Sequence, residues 1–235
     1  MRNAALLAVL AVAPGLATAG VYQIDDGSVS AGGLGRGYFG ALTSVWLNGF
    51  VVQAGMETIT TVSIMFGAAP VGDGLPANGS AVTILLYTDP NNDGAAADGV
   101  LQRQVAGTVQ SADTGTFIDF AIPSITLAPG SWFYVGLAAN GTSGTSVFGP
   151  NLDSEDASDP NVGGPSFHFG WFSGTPDAAN LAGSAASTQT AITADFMIRA
   201  TGIADTGVPE PAAVGLTAAG LAMLGLMRRR CQPRS

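Results

Sequence analysis

The sequence predicts an all-β body between two short segments at the chain ends. Three observations lead to this expectation: apolar residues recur with a period of two in several segments, turn residues separate those segments, and no stretch of the body sustains a helical apolar period. We expect a single β-sandwich or jelly-roll-like domain of about eight to ten strands. A chain of 235 residues suffices for one domain of ordinary size with terminal attachments.

The N-terminal segment, residues 1–19, has the layout of a signal peptide. Arg2 supplies a positive start, residues 4–13 are uninterrupted apolar residues, and Pro14-Gly15 then breaks the helix. Ala17 and Ala19 form an A-x-A cleavage site, so we expect export and cleavage after Ala19. A buried N-terminal helix is the alternative, but the segment lacks the polar face of an amphipathic helix.

Five segments of the body, residues 20–207, alternate in the way of strands with one buried face. Their apolar residues are Val62, Ile64 and Phe66; Val82, Ile84 and Leu86; Ile118, Phe120 and Ile122; Phe133, Val135 and Leu137; and Phe196 and Ile198. Pairs such as Asn78-Gly79 and Pro129-Gly130 lie between them and favour chain reversal. The pattern is typical of an antiparallel sheet protein.

A polar loop after the second alternating segment has the first half of a calcium-binding pattern. Oxygen-bearing side chains recur at alternate positions before Gly94, and the candidate ligands are Asp89, Asn91, Asp93 and Asp98. A complete EF-hand is excluded, because Val100 stands where the bidentate glutamate belongs and the flanks are strand-like. Two interpretations stay open: a hairpin loop that binds Ca²⁺, and a solvated turn made of the residues that turns prefer.

The segment 127–135 contains a turn followed by an aromatic strand. It resembles an L-x-P-G-x-W/Y hairpin of exported bacterial jelly-roll domains, some of which bind carbohydrate. Trp132 and Tyr134 share one face of this strand, opposite the face of Phe133 and Val135. We expect the pair either to pack under a loop or to form an exposed platform for sugar stacking.

The remaining acidic and titratable side chains give no catalytic pattern. A second acidic cluster fits no metal template and is predicted to be a solvated loop; it comprises Asp153, Glu155, Asp156 and Asp159. The chain has no lysine and only one histidine and one cysteine, so few side chains suit nucleophilic or acid/base catalysis. We therefore predict that the protein is not an enzyme.

The charge of the chain limits its partners. Its formal net charge is -9, and residues 20–207 hold sixteen acidic residues against three arginines, a formal charge of about -13. Binding to nucleic acid or to anionic lipid depends on cationic patches, so neither is expected. A cation or a neutral sugar is a more suitable ligand.

The C-terminal segment, residues 208–235, predicts one transmembrane helix. Val208, Pro209, Glu210 and Pro211 precede sixteen uncharged residues, 212–227, which are followed by Arg228, Arg229 and Arg230. At about 1.5 Å per residue the run spans roughly 24 Å, which is near the lower limit for crossing a bilayer. Because arginines follow the span, the positive-inside rule places the C-terminus in the cytoplasm and the body outside. A C-terminal helix packed on the domain is the alternative, but the segment has no polar stripe.

This tail resembles the PEP-CTERM sorting signal in the order of its Val-Pro-Glu-Pro tetrapeptide, apolar span and arginine cluster. The resemblance covers only 208–235 and says little about the body. It implies a Gram-negative bacterium, transient anchoring in the inner membrane, and cleavage near Pro209-Glu210-Pro211 by an exosortase. It further implies delivery to the cell surface or to the exopolysaccharide matrix of a biofilm.

Three functions follow as hypotheses. The first is an exported, noncatalytic surface or extracellular-matrix protein associated with exopolysaccharide. The second is a carbohydrate-binding module, which requires exposed aromatic rings such as Trp132, Trp171 or Trp46 side by side. The third is a secreted glycoside hydrolase, which requires two carboxylates facing each other across a groove, about 5 to 10 Å apart.

Overall fold

In the computed structural model, the structure describes residues 19–27, 43–67, 77–140, 149–154, 165–171, 177–183 and 194–205. The chain divides into two compact units, Met1–Ala204 and Asp205–Ser235. All described residues except Asp205 belong to the first unit.

The described part of the chain is all-β, as predicted. It contains two single-turn 3₁₀ segments, Ala96–Asp98 and Leu181–Gly183, and no α-helix. Its eleven strands are β1 (Gly20–Tyr22), β2 (Thr43–Val51), β3 (Thr58–Met65), β4 (Ala81–Thr88), β5 (Val100–Thr108), β6 (Phe117–Thr126), β7 (Trp132–Asn140), β8 (Leu152–Ser154), β9 (Ser166–Trp171), β10 (Ala194–Phe196) and β11 (Ile198–Ile203).

These strands form three antiparallel sheets. The larger two have the orders β1-β11-β3-β6 and β5-β4-β7-β2-β9, and β10 pairs with β8 in a small third sheet. A large apolar cluster takes side chains from both larger sheets, so the two sheets share one buried core. The multi-sheet arrangement fits the predicted class, and the described strands outnumber the eight to ten that were expected.

Strand β7 shows how the sequence pattern produces this core. Phe133, Val135 and Leu137 point into the cluster shared by the two sheets. Tyr134 points to the opposite face, into a second cluster that includes Ala96 and Leu181. The alternation predicted from the sequence is confirmed, but both faces of β7 are buried, so the expectation of a single buried face is wrong for this strand.

Two features of the strand prediction need correction. Phe196 and Ile198 lie in different strands of different sheets, because the chain bends at Met197. The alternation also missed β2, in which every residue from Thr43 to Phe50 is buried. Its apolar residues are consecutive, as in Val45-Trp46-Leu47, so this strand shows no period of two.

A buried amide joins the two larger sheets near this bend. The side chain of Asn48, on β2, donates hydrogen bonds to the carbonyl oxygens of Phe196, at 2.7 Å, and Ile198, at 2.9 Å. Ser166 Oγ donates to Asn48 Oδ1 at 2.8 Å, so the amide uses both its donor and its acceptor. The amide fixes β11 relative to the five-stranded sheet, because buried polar groups must keep their partners.

Strand β1 packs the start of the body onto its end. Gly20 pairs with Gly202 of β11, and β1 begins at the residue that follows the predicted cleavage site. The Tyr22 ring lies 5.0 Å from the Phe133 ring in an edge-on arrangement, and its hydroxyl donates to Met56 O at 2.9 Å. One three-residue strand thus contacts both larger sheets.

The predicted terminal segments are outside the described residues. These are residues 1–18 of the signal peptide and the tail 208–235, including the predicted span 212–227. No helix within the described ranges has the length and apolar character required to cross a membrane.

The close approach of β7 to β2 requires a glycine at position 136. A Cβ atom there would overlap the carbonyl oxygen of Trp46, which is backbone and cannot swing aside. At Gly107 a Cβ atom would instead meet the Phe120 ring edge, 2.8 Å away, and a half-buried ring can shift.

We predict that Gly136→Ala lowers the free energy of unfolding by more than about 3 kcal/mol, whereas Gly107→Ala costs about 1 kcal/mol. Denaturant unfolding of the two variants beside wild type measures the difference. Equal losses would contradict the assigned β2–β7 register.

Candidate functional site

The predicted calcium loop connects two neighbouring strands. It begins at Asp89, directly after β4, and ends at Gly99, directly before β5. The strand flanks agree with the exclusion of an EF-hand. Asp89 N donates to Trp132 O at 3.2 Å, so the loop starts against the first residue of β7.

Asp89 is a buried anchor for this loop. Its Oδ1 accepts hydrogen bonds from the backbone N–H groups of Asn91, at 3.1 Å, and Asn92, at 2.8 Å. Its Oδ2 accepts from the Gly94 N–H at 2.8 Å and from the Tyr134 hydroxyl at 3.1 Å. Four donors therefore surround one carboxylate, and the loop is folded around it.

These contacts determine the protonation of both partners. Burial raises the pKa of Asp89, but the hydrogen bonds from Gly94, Tyr134, Asn92 and Asn91 outweigh it and bring the pKa below its usual value. Burial also raises the pKa of Tyr134, and the hydrogen bond to Asp89 raises it further. The pair is a carboxylate and a neutral phenol at neutral pH.

The other predicted ligands lie together on the exposed side of the loop. Asn91 Nδ2 donates to Asp93 Oδ2 at 3.1 Å and to Asp98 Oδ2 at 2.9 Å. One oxygen each of Asp89, Asp93 and Asp98 can be chosen so that all lie within 4.8 Å of one another. The structure thus brings all four sequence-predicted residues into one cluster.

The cluster has the donor chemistry of a hard-cation site, with unequal ligands. Ca²⁺ prefers carboxylate and amide oxygens, and this loop supplies both. The exposed carboxylates of Asp93 and Asp98 can turn toward an ion, and rotation of the Asn91 amide would present its oxygen between them. Asp89 contributes mainly by holding the backbone, because its oxygens already accept four hydrogen bonds.

Asn92 is a positioning residue that the calcium pattern did not identify. Its φ is 59° and that of Gly94 is 81°, so the chain turns through the left-handed region at both positions. Asn92 Oδ1 accepts from Trp132 N at 2.7 Å, and its Nδ2 donates to Gly130 O at 3.3 Å. The Asn-Asp-Gly sequence indicated a turn, but its partner on β7 depends on tertiary structure.

The predicted aromatic platform is only partly present. Tyr134 is fully buried, so its ring cannot stack on a sugar, and the sugar-stacking assignment is wrong for this residue. The Phe167 ring of β9 packs edge-on against it, with ring centroids 5.4 Å apart, and both rings belong to the second apolar cluster. Trp132 is half-buried and retains some exposed surface, whereas Trp46 and Trp171 are buried.

The second acidic cluster also differs from the prediction in one respect. Asp153 is buried on β8, and its Oδ2 accepts a hydrogen bond from the Asp26 N–H at 2.8 Å. The prediction of a solvated residue is therefore wrong for Asp153, which lies on a strand paired with β10, opposite the equally buried Asp195. Glu155, Asp156 and Asp159 lie outside the described residues.

The sorting residues are outside the described ranges as well. This applies to Ala17 and to Val208, Pro209, Glu210, Pro211, Arg228, Arg229 and Arg230. Ala19 is described, and it directly precedes β1.

Comparison of the chain with protein-family models, with curated proteins and with solved structures gives no match.

We predict that Asp89→Asn lowers the free energy of unfolding at pH 7 by about 2 kcal/mol or more, because an amide cannot accept four hydrogen bonds from these donors. The matched control, Asp93→Asn, changes an exposed residue of the same loop and is expected to cost less than about 1 kcal/mol.

The pH dependence gives the same anchor a second test. The folded-state pKa of Asp89 is lowered, so its contribution to the free energy of unfolding is complete above the unfolded-state pKa of about 3.9. That contribution is lost as the pH falls through the folded-state pKa. Denaturant unfolding between pH 5 and pH 2 should show that the free energy of unfolding falls more steeply with decreasing pH in wild type than in Asp89→Asn. Identical slopes would contradict the anchoring role.

Proposed function

We propose that this chain is an exported, noncatalytic surface or matrix protein with a β-sandwich body, sorted by its C-terminal segment. The observation that carries the proposal is the fixed order of the tail: Val208–Pro211, the apolar residues 212–227, then Arg228–Arg230. An exosortase is the proposed processing partner. The cell surface or the exopolysaccharide of a Gram-negative bacterium is the proposed destination.

Several features of the body support this proposal. Its all-β architecture suits a stable extracellular domain, and residues 20–207 contain no cysteine, so its stability does not depend on disulfides. Strand β1 begins at Gly20, directly after the predicted cleavage site, so cleavage there would leave the described strands intact. Residues 20–207 contain no lysine, no cysteine and one histidine, which favours a binding role over catalysis.

Processing provides the direct test of this proposal. We predict that intact-mass measurement of the protein released by the native bacterium shows a chain that begins at Gly20 and ends near Pro209. A released chain that retains Met227 would contradict the second cleavage, and an intracellular chain that begins at Met1 would contradict the first.

A tail variant provides the control. Deletion of Arg228–Arg230 removes the charges that stop translocation and should reduce membrane retention, while cleavage after Ala19 stays unchanged. Unaltered membrane fractionation of this deletion would contradict the anchoring role of the tail.

We also propose that the loop at Asp89 binds Ca²⁺ outside the cell. The observation that carries this proposal is the placement of Asp89, Asp93 and Asp98 with carboxylate oxygens within 4.8 Å of one another. A bound cation would offset their repulsion in a strongly acidic body.

We predict that the full chain has a higher Tm in millimolar Ca²⁺ than in EDTA. At a hundredfold excess over Kd, binding to the folded state alone contributes about 2.7 kcal/mol, or roughly 5 to 10 °C in Tm. Asp93→Ala should lose this shift, and Asp113→Ala, at another exposed turn, should keep it. Equal shifts in wild type and Asp93→Ala would show that the loop is only a turn.

A further inference from the structure

A groove lies beside the candidate calcium loop, at the end of β2. It has a volume of about 330 Å³, and the residues lining it include Val21, Gln23, Val51, Gln53, Trp132 and Pro165. It brings together strand β1 of one large sheet and strands β2 and β7 of the other. Trp132 is the link between this groove and the loop at Asp89.

The groove occurs where β2 continues past its neighbour β9. The β9 pairing covers β2 only from Thr43 to Asn48, whereas pairing with β7 continues to Val51, opposite Trp132. Cross-strand partners place their side chains on the same face, so Val51 and the indole form one continuous surface. Gly49 has no side chain to fill the groove, and a Cβ atom there would lie 3.0 Å from the Tyr134 ring.

The calcium loop holds the indole in place. Trp132 N donates to Asn92 Oδ1 at 2.7 Å, and a Cβ atom added at Gly94 would lie 3.4 Å from the indole ring. The ring therefore lies against the loop backbone, and Trp132 also lines the groove. An aromatic ring that is already positioned loses little conformational entropy when it binds a ligand.

The chemistry of the lining selects an uncharged, amphipathic ligand. The described lining residues carry no charged side chain, and the acidic body repels anions. Gln23 and Gln53 are exposed, and each amide offers a donor and an acceptor of the kind that hydroxyl groups require. Trp132, Val51 and Val21 offer an apolar surface, and Val21 is 55% exposed.

We propose that this groove is a binding site for a neutral polysaccharide chain. The C–H face of a pyranose ring packs on the indole of Trp132, and the ring hydroxyls exchange hydrogen bonds with the amides of Gln23 and Gln53. This inference rests on the proposed association with exopolysaccharide, to which it adds a site and a chemical class. The proposed sugar contacts are therefore Trp132, Gln23 and Gln53 rather than the buried Tyr134.

The test is affinity electrophoresis of the full chain in a sugar-free detergent, through gels containing a linear β-glucan, a galactomannan, dextran or anionic alginate. We expect retardation by at least one neutral polysaccharide and none by alginate. Trp132→Ala and the double variant Gln23→Ala/Gln53→Ala should each weaken binding about tenfold, and Trp132→Phe should retain most of it. Gln104→Ala, an exposed glutamine on β5, is the matched control and should bind as wild type.

The outcomes separate the groove from the proposed function. Because Trp132 also packs on the loop, Tm is measured for each variant, and the glutamine pair tests the groove without altering the core. Binding that survives both groove changes would overturn this site but leave the polysaccharide association standing. The neutral-glycan assignment would be overturned if only alginate retarded the protein, if no polysaccharide did, or if an extended peptide competed for the groove. The masses of the processed chain would still test sorting independently.

Discussion

The Asp89 carboxylate is the constraint on which the candidate site depends. It gathers three backbone N–H groups of its own loop and one hydroxyl from β7, so loop conformation and sheet position are set by the same four hydrogen bonds. Such bonds to an ionised group are stronger than neutral ones, and they compensate the cost of burying the charge. With Asp89 in place, Asn92 reaches Trp132, and the exposed carboxylates of Asp93 and Asp98 approach each other.

The two proposed ligands suit one electrostatic setting. An acidic body attracts cations and repels acidic glycans, so a cation loop and an uncharged groove do not compete for the same partner. They share Trp132, whose backbone and ring contact the loop and whose exposed surface lines the groove. An ion that stiffens the loop would also stiffen the indole, which couples the two sites through one side chain.

The sequence predicted those parts of the structure that local pattern controls. Alternation located β3, β4, β6 and β7, and the spacing of oxygen-bearing residues identified the loop at Asp89. It failed where distant segments decide: β2 has consecutive apolar residues because neighbours cover both of its faces, and Tyr134 is buried against Phe167 of a distant strand. The groove could not be predicted, because it depends on where β9 stops pairing with β2, and strand register is a tertiary property.

Strand β11 occupies the position between β1 and β3, although it is the last strand of the described body. The five-stranded sheet consists entirely of strands that end by Trp171 and can assemble while the chain is still emerging. In the four-stranded sheet β3 and β6 can pair early, but β1 has no neighbour until β11, the last strand, is available to lie between β1 and β3. Until β11 is available, the part of the apolar core that β11 and β1 cover therefore stays exposed, and this interval carries the greatest risk of aggregation.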